Sequence, residues 1–143
     1  MSVGTDTWLR ARWSRWLLAA LLTATGLAHV ALPDAFERIV PRWLPGSPEQ
    51  LNQLATAAEL GSAALLATPR TARAGGALAF ATLAGVWIAN VQAAVDGGYR
   101  GLPGRLGGPA VAWARVPLQL PLPWWSATIA CRTPNDPEDV ETS

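Results

Sequence analysis

The chain has 143 residues, half of them apolar and 15% charged, against about 25% charged in an ordinary soluble domain. Net charge is +1, too small to supply a global field for nucleic acid. All eleven cationic side chains are Arg, which excludes a P-loop with its required Lys and Schiff-base chemistry on Lys; one cysteine, Cys131, and one histidine, His29, exclude an internal disulfide, a CxxC redox pair and a structural zinc site within one chain.

A membrane-crossing helix needs roughly 20 mainly apolar residues, and four segments approach that length. The first is Trp16–Leu32, which has no formal charge. Arg10, Arg12 and Arg15 precede it, together with Trp8 and Trp13. Indole rings favour a membrane interface, so residues 1–15 read as a cytoplasmic or interfacial segment. The loop Pro33–Pro48 follows. Asp34 and Glu37 stand at capping-box spacing, and Phe36, Ile39 and Val40 would share one face. This predicts a short interfacial helix, stopped by Pro41 and Pro45. It would form either a lid over the outer mouth of the bundle or a rigid turn between two spans.

The second segment, Leu51–Thr68, carries one charge, Glu59. The third, Ala74–Val95, has none and at ~1.5 Å per residue would reach ~33 Å, enough for a ~30 Å hydrocarbon core. Residues 96–109 hold six glycines and two prolines, the composition of a flexible connector. The fourth segment lies within Ala110–Cys131 and carries Arg115, Pro117, Pro121 and Pro123. Proline removes a backbone donor, so this helix is kinked or its regular part starts near Pro117. Residues 133–143 are acidic and proline-bearing, the pattern of a disordered tail.

The fold class expected is all-α: a polytopic, four-transmembrane-helix bundle over residues 16–132, placed in the plasma (bacterial inner) membrane. The arginine cluster ahead of the first span puts both termini in the cytoplasm. Ala57 and Gly61, and Ala81, Gly85 and Ala89, recur four apart, a spacing that lets helices approach closely.

Polar groups inside such helices are costly and face the bundle interior. Placed by helical rise, His29, Glu59, Asn90, Arg115 and Gln119 fall at one depth in the outer half. This predicts a polar cluster in which Glu59 pairs with Arg115, while His29, Asn90 and Gln119 complete the hydrogen bonding. Its role is either a lock on helix register or a ligand site; the alternative to a cluster is that each polar group snorkels independently. No catalytic or metal-ligating constellation is expected.

Four stretches occur in order over Gly26–Trp125: GLAHVALPDAFERIVPRWLP, AAELGSAALL, WIANVQAAVD and ARVPLQLPLPWW. Together they resemble the DoxX-like family of small four-helix integral membrane proteins. The resemblance implies a four-helix membrane bundle and places motif positions at His29, Glu59, Asn90, Arg115 and Gln119, with no catalytic role attached. Three functional readings stand side by side. One is an accessory subunit that binds partner proteins or a hydrophobic small molecule. Another is a quinone-linked oxidoreductase subunit, in which His29 or Glu59 exchanges protons with quinone as cofactor and a partner supplies electrons. The third is a small-molecule transporter. Expected partners are the lipid bilayer, a soluble or membrane redox partner and a second copy of the chain, but not nucleic acid.

Overall fold

Prolines and one serine set where the helices begin. A computed structural model describes residues 3–99 and 104–131, with side chains described for 12–99 and 105–131. Among these run α1 (Val3–Ala31), α2 (Pro33–Glu37), α3 (Pro48–Ala67), α4 (Ala72–Val95), α5 (Pro109–Gln119) and α6 (Pro121–Ala130). Short 3-10 turns lie at Pro69–Thr71 and Gly104–Leu106. Proline occupies the first turn of α2, α3, α5 and α6, where its missing N–H is not needed and its fixed φ suits the helix.

Helix α3 has the best-defined start. The Gln50 N–H donates to Ser47 Oγ at 3.1 Å, and the Ser47 N–H donates to Gln50 Oε1 at 3.0 Å, a complete capping box. The box expected at Asp34 and Glu37 does not form. Helix α2 takes Leu32 as its N-cap with no side-chain hydrogen bond, because Pro33 starts the helix two residues earlier and draws Asp34 into the first turn. The fourth expected segment is divided at Leu120. Pro121 and Pro123 cannot donate to the carbonyls one turn back. Helix α5 closes with the Leu120 N–H on the Pro117 carbonyl at 3.2 Å, and α6 begins at Pro121.

Helix α1 packs on α3, α3 on α4, and α4 on both α5 and α6. Two adjacent glycines let α4 approach closely. A Cβ on Gly75 would stand 2.8 Å from the Leu66 backbone nitrogen, and one on Gly76 would stand 2.8 Å from that of Ala130. The small residues expected to mediate close approach behave otherwise: Ala57 is exposed, and a Cβ on Gly85 would meet nothing within 4 Å. One apolar cluster joins Leu18, Leu22, Leu66, Leu83 and Ile129 with several alanines, and a second joins Ala93, Ala94, Tyr99 and Ala112. Buried Arg15 reaches from α1 to donate to the Leu66 carbonyl at 2.9 Å, at the C-terminal end of α3, where a cation complements the helix dipole. Indoles fasten further seams: Trp87 donates to the Val116 carbonyl at 2.9 Å and Trp43 to Gln92 Oε1 at 3.2 Å.

The structure corrects the membrane reading. Among the described residues one helical stretch, Pro69–Val95, is long and apolar enough to cross a membrane, with a mean hydropathy of 1.6 and 28% of its apolar window buried in the fold. Helix α1 is long, but Arg15, Thr23, Thr25 and His29 interrupt its apolar run. Helix α3 carries Glu49, Gln50, Asn52, Gln53 and Glu59. Helices α5 and α6 have 11 and 10 residues, about half the length a span needs. The four-transmembrane-helix bundle is therefore replaced by an all-α bundle of five helices and the single-turn α2. The multi-pass plasma-membrane placement and the cytoplasmic termini, which rested on four spans, fall with it. The expected tail 133–143 lies outside the described residues.

Candidate functional site

Between the two apolar clusters the helices part. A cavity of about 440 Å³ opens between α2, α3 and α4, walled by Phe36, Ile39, Leu51, Ala55, Ala58 and Gly85 among others. A second, of about 250 Å³, lies between α1, α3, α4 and the α5–α6 joint. His29, Phe36, Val86, Asn90 and Arg115 line both, so the two spaces share a wall. The larger is of the size that takes a small ligand, about 300–1,000 Å³. Its alanines and Gly85 explain why it exists. Small side chains on facing helices permit contact, but where none is made they leave space.

His29 stands near the end of α1, 7% exposed. Its ring stacks on Phe36 with centroids 3.8 Å apart. Asn52 on α3 fixes its orientation: Asn52 Nδ2 donates to the His29 carbonyl at 3.4 Å, which turns Asn52 Oδ1 toward His29 Nδ1 at 2.6 Å. Nδ1 is thus the donor. Nε2 is left facing Glu59 Oε1 at 3.7 Å, beyond hydrogen-bond reach. Glu59 is 3% exposed, and its Oε2 has no hydrogen-bond partner among the described residues. Burial pushes its carboxyl above the ordinary value of 4.5, and the Thr25 hydroxyl and His29 only partly offset this.

Across the smaller cavity, buried Asn90 donates to Gln119 Oε1 and accepts from the Tyr99 hydroxyl at 2.7 Å. Tyr99 reaches this point because Gly97 and Gly98 take φ of +91° and +119°, a turn that L side chains resist. The Gly98 N–H then closes on the Ala93 carbonyl at 2.8 Å. The Arg115 guanidinium lies over the Tyr99 ring, 5.2 Å from its centroid, within cation–π range.

All five residues singled out from the sequence, His29, Glu59, Asn90, Arg115 and Gln119, line the smaller cavity. Their pairing differs from the expectation. Among the described residues Glu59 faces His29, whereas Arg115 is exposed and rests on Tyr99. Asn52 and Tyr99 were missed. Asn52 precedes Glu59 by two helical turns and shares its face, a signal that was legible. Tyr99 offered none, since its position depends on the path of a glycine turn.

Fold and site together define a small all-α bundle with an apolar cavity and a hydrogen-bonding end. The chain belongs to the family described as Domain of unknown function (DUF8561), whose model matches residues 18–130. That match replaces the DoxX-like resemblance: four short strings in order are weaker grounds than one model that runs continuously from the middle of α1 to the end of α6. No curated protein and no solved structure matches the chain.

Proposed function

We propose that this protein binds a small, mainly apolar molecule and acts as a binding module rather than by chemistry of its own. The hydrocarbon part occupies the larger cavity and the polar end enters the smaller one. The observation that carries this reading is the shared wall. His29, Phe36, Val86, Asn90 and Arg115 border both spaces, so the two adjoin, and an elongated ligand extending through both would meet mainly aliphatic side chains in the larger and Glu59 and Gln119 in the smaller. Such a layout, a largely apolar site with a few convergent polar groups, is the ordinary form of a small-molecule site.

The test is a fluorescence titration of the full chain with the uncharged probe N-phenyl-1-naphthylamine. Saturable enhancement at one probe per chain is expected. It is lost in Gly85→Leu, whose side chain enters open space beside the larger cavity. Absence of saturable binding, or undiminished binding by Gly85→Leu, would overturn the proposal.

A further inference from the structure

The geometry points to a ligand whose polar end is a single hydroxyl group, as in a long-chain alcohol, seated between Glu59 Oε2 and the Gln119 amide. This deepens the binding reading and rests on it. Two features of the smaller cavity carry the inference. Glu59 Oε2 is buried and has no hydrogen-bond partner among the described residues, a costly arrangement for a polar atom removed from water. Gln119 uses its Oε1 to accept from Asn90, so its Nε2 turns away from Asn90 and forms no hydrogen bond among the described residues. Both side chains line the same space.

The wall therefore offers one buried oxygen without a proton partner and, from half-buried Gln119, an amide N–H group free to donate. A hydroxyl is the smallest group that gives one proton and accepts another. It also serves either form of the Glu59 carboxyl, because it can donate to a carboxylate or accept from the acid. An ether or ketone can accept from the acid but brings no proton for the carboxylate. A carboxylate sets negative charge against Glu59, and an ammonium has no lone pair for Gln119. Arg115, at the exposed margin of both cavities, is held on the Tyr99 ring and leaves the inner end to Glu59 and Gln119.

The experiment displaces N-phenyl-1-naphthylamine from the full chain with 1-dodecanol, its methyl ether and dodecanoate. Dodecanol should compete roughly 10- to 100-fold better than the ether, the factor expected for a hydrogen bond to an ionisable partner, and better than dodecanoate. Glu59→Met should erase the preference over the ether while retaining the probe. Gln119→Met, at a less buried position, should reduce it and guards against misfolding of the first variant. If the probe binds but ether or dodecanoate matches dodecanol, the hydroxyl assignment fails and the binding reading survives. Should the probe itself not bind, both fail.

Discussion

Glu59 holds an unfavourable position in the fold, and the consequence can be measured. Its carboxyl is raised above 4.5 by burial, so the folded chain binds its proton more tightly than the unfolded chain does. Between 4.5 and the raised value the folded state carries more protons, and stability therefore falls as pH rises through that window. Glu59→Gln keeps the shape and cannot ionise. In thermal melts from pH 4 to pH 8, the variant should gain on the parent steadily as pH rises, and the difference should be smallest near pH 4. A difference that stays constant with pH would show that Glu59 carries no such penalty. The residue was legible in the sequence as a lone acid in an apolar run. Its neighbour was not, because helical rise gives depth but not azimuth. His29 and Arg115 fell at the same level, and only the Asn52 contact, which aims the imidazole at α3, decides between them.

At the scale of elements, glycines with opposite roles lie on one helix. Gly76 meets the α6 backbone, whereas Gly85 faces open space. Gly76→Ala forces two backbones apart and should cost about 1–3 kcal/mol. Gly85→Ala meets no obstacle and gains helix propensity, so it should stabilise by about 0.5–1 kcal/mol. Urea unfolding of both variants checks the pair; equal effects would mean that α4 does not pack as described. From sequence, close approach was expected at Ala81, Gly85 and Ala89, and nothing was expected of Gly76. A repeat reports that contact is sterically allowed, but not which face meets a partner. Helix ends were legible only in part. The prolines of the fourth segment signalled an interruption, but as a kink or a start near Pro117 rather than a break after Gln119, and the capping box forms at Ser47 and Gln50 instead of Asp34 and Glu37.

The whole molecule divides its apolar material unevenly, and this is why the span count misled. Half the residues are apolar, yet Trp13, Trp43, Trp113, Trp124 and Leu118 are each more than half exposed. The bundle places its two cores at either end and leaves cavities between them. Composition counts apolar residues without saying which are covered, so length and hydropathy overstated the number of spans. The same layout ties stability to occupancy. An empty apolar cavity forfeits contacts with its lining, so filling it from either source should raise the melting temperature. Gly85→Leu should melt above the parent without ligand. Saturating 1-dodecanol should then raise the parent, by about 2.7 kcal/mol of added stability at a hundredfold excess over Kd, and leave Gly85→Leu unmoved. Equal ligand-induced shifts in both would place the binding elsewhere, on the exposed apolar surface rather than between α2, α3 and α4.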